Sequence, residues 1–389
     1  MTPAGRVRVL HVLKSLGLGG TEKVAQQFVR HLDHARFETA VHSPVDGPRA
    51  EQIRAEGSAT FIGMDLGRAL AVFRPQIIHL HRAGWPEPDF MRPVRNHAAK
   101  HPVAVVETNV FGRHDPSPSG RIIDTHLFVS HFCAQRFARH TGIAAQGPRY
   151  GVLYNPVDTD FFAAALPDGP TALLPGCAAL TDGATSPANG LAALPNGCAA
   201  ASPVLGRISR ADPGKWSALA LDILPLLARD VPNFRCRIVG GIAQAEAFVR
   251  QHGLARQVEF LPPLCNDAQL AEFYGGLSVL AHANDAGESF GLVIAEAMAC
   301  GLPVVTHPSA GERDNAQLEL VEHGVTGLVA HTAEEYAACV RRLFQNPQQA
   351  RAMGLAGRAK AQKLYRAQDV AARLGALYLE LLERKGKAL

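Results

Sequence analysis

The tightest constraint on the fold is the stretch 287–305, which opens with Gly287-Glu288-Ser289-Phe290-Gly291-Leu292 and closes with Cys300-Gly301-Leu302-Pro303-Val304-Val305. The apolar run before it, residues 277–281, reads as a buried strand. From Phe290 to Ala299 good helix formers carry apolar spacing. Gly301 predicts the helix stop, and Pro303 prevents continuation. Residues 302–306 then read as the next strand. Strand, loop, helix and strand in that order predict a parallel α/β unit.

Two carboxylates mark this unit. Glu288 sits just ahead of the helix, and Glu296 lies inside it. The helical rise would separate them by roughly 12 Å along the axis. That distance suits a sugar and a ribose joined by a diphosphate. The free N–H groups at a helix start favour a phosphate between them. One element could therefore hold a sugar with Glu288, a diphosphate with the backbone of Ser289, Phe290, Gly291 and Leu292, and a ribose with Glu296. The plainer alternative is an amphipathic helix with one acid at its N-terminus and one exposed acid.

Glu288-Ser289-Phe290-Gly291-Leu292, the seven residues between the two glutamates, and the closing Ala299-Cys300-Gly301-Leu302-Pro303-Val304-Val305 closely resemble the signature of retaining GT-B glycosyltransferases. The nearest relatives implied are the large group-4-type enzymes (glycosyl transferases group 1), which use nucleotide sugars. The resemblance implies an α/β fold of two Rossmann-like, doubly wound domains facing a cleft, with a C-terminal helix crossing back to the first domain. Expected boundaries are 1–162 for the acceptor-side domain, 204–369 for the nucleotide-sugar domain and about 370–389 for the returning helix.

Residues 204–210 read as the first strand of the second domain, with Arg207 on it and Lys215 in the loop that follows. A diphosphate leaving group needs such cations, because its charge grows as the glycosidic bond breaks. The pair resembles the family's Gly-Arg…Lys, so Glu288, Arg207 and Lys215 are the expected catalytic residues. The plainer reading of the two cations is surface charge. In the family the loop after the strand that starts at Val258 lines the nucleotide base, so the resemblance implies that Leu261 to Leu264 pack against it.

The first half begins with a strand at 7–13, a glycine turn and a helical pattern from Lys23 onward. Glycines at such a turn let a ligand approach the backbone. A dinucleotide fingerprint fits poorly: the third glycine is absent, and strand 37–42 ends in no acid. The resemblance instead places Gly19 and Gly20 beside the transferring sugar; a tight turn and nothing more is the alternative. Strand 75–81 ends in His79-Leu80-His81-Arg82. Ligands bind outside the carboxyl ends of strands in open α/β sheets, so His81 and Arg82 are expected in the acceptor pocket. His79 reads as a core histidine. Beyond Val106, many relatives carry a histidine that approaches the donor sugar. Thr108 and Asn109 stand there instead, with His114 and Asp115 nearby, and Asn109 is taken as an acceptor-side candidate. Asp158-Thr159-Asp160 looks like the Asp-x-Asp metal clamp of the GT-A fold, but it sits in the hinge segment, and a turn with Asp capping local amides is expected.

Composition bounds the rest. At 389 residues the chain has room for two domains, and 47% apolar with 19% charged residues indicates a globular protein. A net charge of +4 is too mild to argue for nucleic acid. The seven cysteines are odd in number and scattered, so free thiols are expected. Residues 163–203, rich in Ala, Gly and Pro, read as linker and insertion. The start of the chain leads straight into a strand, and no apolar run approaches the ~18 residues of a spanning helix. A cytoplasmic chain in peripheral contact with the inner membrane face is expected. The expected partners are a nucleotide sugar and a saccharide or lipid-linked acceptor, with no cofactor and no metal for the chemistry. A nucleotide-sugar epimerase on the same fold and a non-catalytic nucleotide-sugar binder are the alternatives.

Overall fold

The computed structural model describes residues 5–170 and 202–387. Most of the expected insertion, residues 171–201, lies outside the described residues. Seven parallel strands form the first sheet: β1 (Val7–Val12), β2 (Phe37–Ser43), β3 (Ala59–Ile62), β4 (Ile77–Arg82), β5 (Ala104–Asn109), β6 (Thr125–Phe128) and β7 (Tyr150–Val152). Their order is β3-β2-β1-β4-β5-β6-β7. The second sheet holds β8 (Val204–Ile208), β9 (Arg235–Val239), β10 (Val258–Leu261), β11 (Val279–His282), β12 (Val304–Thr306) and β13 (Gly327–Val329). Its order is β10-β9-β8-β11-β12-β13, again all parallel.

The central strands β4, β5 and β11 are buried at every residue. A parallel sheet covered by helices on both faces needs such continuous burial. Strand order reverses beside β1 and again beside β8. The connections there leave to opposite faces, which opens a crevice outside the carboxyl ends of the strands. The two crevices face each other across one cleft.

The C-terminus ties the halves together. Helix Pro347–Tyr365 packs on helix Leu292–Ala299 in the second domain. The chain then crosses at Arg366, which bridges to Val157, and helix Ala367–Lys387 covers the first sheet. Val370, Leu374 and Tyr378 share a core there with Val9, Phe28 and Val106. The expected returning helix is therefore present.

Helix Arg49–Ala55 lies between β2 and β3. β3 is a four-residue edge strand with partial burial, so it carries no apolar run to read. The motif helix starts at Leu292, not at Phe290, because Gly291 takes φ +102°. Glu288 therefore sits on a loop, and a helical rise does not measure its distance from Glu296.

Candidate active site

The cleft has a volume of about 1210 Å³, somewhat above the usual range for a single small-ligand pocket. Its second-domain wall is built around Glu288. Gly287 takes φ +70°, and a Cβ there would lie 1.6 Å from the carbonyl oxygen of Asp314. Only glycine lets the loop pass, which fixes where the next residue emerges. The backbone N–H of Glu288 donates to Gln317 Oε1 at 3.1 Å. Its carboxylate Oε1 accepts from Asn284 Nδ2 at 2.8 Å and lies 3.2 Å from Lys215 Nζ and 3.4 Å from His282 Nε2. Oε2 has no partner among the described residues, which leaves it to a ligand. Burial alone would raise this carboxyl, but the His282 hydrogen bond, the Lys215 charge and the Asn284 amide bring it down to about 2. Glu288 is thus an anion across the physiological range.

Arg207 comes from β8 and stands beside Lys215. Its guanidinium lies 3.7 Å over the Trp216 ring, donates to Ser209 Oγ at 2.8 Å and also to the Lys215 carbonyl. Burial pushes its pKa down to about 10, so the group stays charged at neutral pH. Ser289, Phe290, Gly291 and Leu292 line the same wall. The Ser289 carbonyl accepts from Ser130 Oγ of the first domain at 2.6 Å. Phe290 packs edge-on to Tyr365. Among the described residues no side chain caps helix Leu292–Ala299, which leaves its first N–H groups open to an anion. Gly19 and Gly20 face this helix across the cleft; a Cβ on Gly20 would lie 3.2 Å from Leu292 Cδ1. Leu264 lines the far end of the cleft. The next residue, Cys265, has its carbonyl bonded to Gln52 Nε2 of the first domain at 3.2 Å.

Glu296 also lines the cleft but is not the exposed acid of the plainer reading. It is buried, with Oε1 at 2.5 Å from Lys23 Nζ and Oε2 accepting from Tyr274 at 3.2 Å. Lys23 also pairs with Asp267 at 2.7 Å. Burial works against the Lys23 charge, yet the two carboxylates outweigh it and raise its pKa. A ribose at Glu296 would have to share this carboxylate with Lys23, a cross-domain partner that local sequence spacing gave no means of finding.

On the first-domain wall the expectations divide. His81 lines the cleft; its Nε2 meets His11 Nδ1 at 3.0 Å, and its Nδ1 has no partner among the described residues. Burial and the neighbouring His11 lower its pKa well below the ordinary value, so it is neutral. His79 is a core residue, bonded to Tyr378 at 2.5 Å and Thr108 at 2.8 Å. The side chains of Arg82 and Asn109, expected in the acceptor pocket, do not line the cleft. The Arg82 side chain is fully buried, 2.7 Å from Glu107 and 2.8 Å from Asp115. Glu107 is bonded in turn to His126. Asn109 folds back on the next turn, donating to the Arg113 carbonyl at 2.8 Å and accepting from its N–H at 3.1 Å. The physical reason is Glu107: a carboxylate inside a buried parallel strand must be met by a cation, and Arg82 supplies it from the neighbouring strand. Asp115 is used in the same network, and His114 packs edge-on to Phe137.

Among the described residues, His11, His79 and His81 form one cluster of metal-ligating type. Both ring nitrogens of His79 are already hydrogen-bonded, to Tyr378 and Thr108. Asp158 caps the N–H of Phe161 at 3.1 Å, and Asp160 pairs with Arg366. Asp158 thus caps a local amide as expected, whereas Asp160 is held by a residue 206 positions further along the chain.

Residues 202–346 match the family model described as "Glycosyl transferases group 1". A D-inositol 3-phosphate glycosyltransferase of Thermobispora bispora is 29% identical over 48% of this chain and 45% of its own length. A GDP-mannose-dependent alpha-(1-6)-phosphatidylinositol monomannoside mannosyltransferase of Mycolicibacterium smegmatis is 31% identical over 61% of this chain and 58% of its own length. The chain thus spans about half the length of these two curated relatives. Among solved structures, a glycosyltransferase from Rickettsia africae superposes with a TM-score of 0.74 at 14% identity, covering 97% of this chain and 99% of that one. Anabaena Alr3699/HepE in complex with UDP and glucose gives 0.70 at 17% identity, covering 95% and 99%. At these identities the likeness concerns the fold, which is the two-domain GT-B arrangement.

Proposed function

This chain carries a glycosyl transferases group 1 domain on a GT-B framework, and from that premise we propose a retaining, metal-independent glycosyltransferase. It would move a sugar from a nucleotide diphosphate sugar to an acceptor hydroxyl. The observation that carries this reading is convergence: Glu288, Lys215, Arg207 and the uncapped start of helix Leu292–Ala299 meet in one cleft between two domains. Glu288 Oε2 would accept hydrogen bonds from the sugar hydroxyls. Lys215 and Arg207 would take up the charge that grows on the diphosphate, in the place a metal ion occupies elsewhere. The acceptor oxygen would form its bond to the anomeric carbon on the face that the diphosphate leaves, and its proton would pass to the departing phosphate oxygen. Leu264 would contact the base, and Glu296 the ribose.

The relatives' names point to polyol and glycolipid acceptors, in keeping with synthesis of a cell-surface glycan or glycolipid. No described helix is long and apolar enough to cross a membrane, so a lipid-linked acceptor would be met by peripheral contact. The test is incubation with UDP-glucose and GDP-mannose, with and without inositol phosphate or a saccharide, in the presence of EDTA. Nucleoside diphosphate release that rises with acceptor supports the proposal. Formation of an epimer without acceptor would identify an epimerase, and binding without release would identify a non-catalytic binder. Activity abolished by EDTA and restored by manganese or magnesium would contradict the metal-independent reading.

A further inference from the structure

The first domain presents an exposed aromatic surface at the edge of the cleft, which the donor chemistry above does not use. Trp85 follows β4, and its side chain is 45% exposed. Its ring is stacked on Phe111, with 5.9 Å between centroids and 16° between planes. Phe111 lines the cleft itself.

The backbone beneath these rings is held from inside. Arg82, pinned by Glu107 and Asp115, donates to the Trp85 carbonyl at 2.7 Å. Gly84 takes φ +93°, and a Cβ there would lie 2.3 Å from the Asn109 side chain. Asn109 closes the turn that carries Phe111. The Phe111 carbonyl accepts from Arg136, which is also paired with Asp314 of the second domain. Asp314 in turn abuts Gly287, the residue before Glu288. A buried ionic network thus fixes two loops whose outer side chains face solvent. Such inner support is how a binding surface is kept in place.

We propose that Trp85 and Phe111 form a stacking platform for a sugar ring of the acceptor. The proposal rests on the transferase reading of the cleft and gives it a substrate class. A pyranose has a flat face of polarised C–H bonds, which suits the negative face of an aromatic ring, and its size matches one indole. Exposed Arg113 and His114 follow Phe111 closely, and Glu87, two residues after Trp85, is paired with Lys14. These groups can meet hydroxyls at the rim. A membrane surface would call for a wider apolar face and a cluster of unpaired basic residues. Here the apolar face is two rings, and Lys14 is already paired.

Saturation-transfer NMR on the full chain tests this, with methyl α-D-mannopyranoside and maltose as probes and UDP or GDP present. The expected result is transfer to the ring C–H protons of at least one probe in the wild type. Trp85→Phe keeps an aromatic face and should retain it; Trp85→Ala and Phe111→Ala should weaken it by about threefold or more. Urea unfolding of each variant excludes loss of fold as the cause. Transfer that is equal in wild type and both alanine variants would overturn the platform. So would saccharides that give no transfer while phosphatidylglycerol vesicles shift the Trp85 emission. Nucleotide titration of the wild type separates the two readings. If neither nucleotide binds, the transferase reading fails; if one binds and the sugars ignore Trp85, only the platform fails.

Discussion

The carboxyl edges of the two sheets treat their charged residues in opposite ways. On the second sheet Arg207, Lys215 and Glu288 turn into the cleft, and Glu288 keeps one oxygen without a partner among the described residues. On the first sheet Arg82, Glu107, Asp115 and Asn109 pair with one another in the interior, and the residues at the ends of β4 and β5 that line the cleft, His81 and Thr108, carry no charge. A diphosphate carries its charge into every reaction, so the surface that meets it must offer charge. A hydroxyl acceptor brings no obligatory charge, and the facing surface can offer shape and aromatic faces. The same strand-end position thus supports two kinds of residue use, decided by what must be met there.

The largest effect expected from this contrast lies in the first domain. Arg82→Met should cost about 3–5 kcal/mol of stability, because it leaves Glu107 and Asp115 buried without their cation. Denaturant unfolding measures it; a loss below about 1 kcal/mol would mean that Arg82 sits at a solvated surface, and the contrast breaks. Next comes the donor side. Arg207→Ala and Lys215→Ala should each raise the barrier by about 2 kcal/mol or more while leaving binding of the free nucleoside nearly intact. Because both act on one developing charge, the double variant should depart from additivity by ~0.5–3 kcal/mol. Small, strictly additive losses with unchanged diphosphate affinity would make them surface cations.

A subtler difference concerns pH. The Glu288 carboxyl is held below its ordinary range, at about 2. A depressed carboxylate contributes stability above its unfolded value, and that contribution is lost as pH falls through the folded one. The stability of wild type relative to Glu288→Gln should therefore be greatest near neutral pH and should shrink from about pH 5 towards about pH 2. Urea midpoints across that window check it. A constant gap would mean that Glu288 is not held ionised by His282, Lys215 and Asn284.

That Glu288, Arg207 and Lys215 share one wall of the cleft was legible in the sequence because these residues are close to one another in their local units. Glu288, the glycine start of the helix and the stop at Gly301 lie within one strand–loop–helix–strand unit, and Arg207 and Lys215 flank a single turn. Even there Gly291 shifted the helix start, since a left-handed glycine looks like any other in a sequence. The orientation of Arg82 and Asn109 was not legible, for a different reason. A strand end fixes where Arg82 and Asn109 sit, but not which way their side chains turn. Glu107 decides that, from the next strand. A lone acid within the apolar run before Asn109 was the available signal, because such an acid demands a buried cation. Lys23 was invisible for the same reason: its partners Glu296 and Asp267 belong to the other domain.

The central claim is that Glu288 acts on the reacting sugar within a donor site that also holds the nucleotide. Turnover of Glu288→Gln with the true nucleotide sugar tests it most directly, with nucleoside diphosphate affinity measured on the same protein. The account predicts a loss of ~10²-fold or more in turnover, with affinity retained to within about threefold. Near-normal turnover would contradict it.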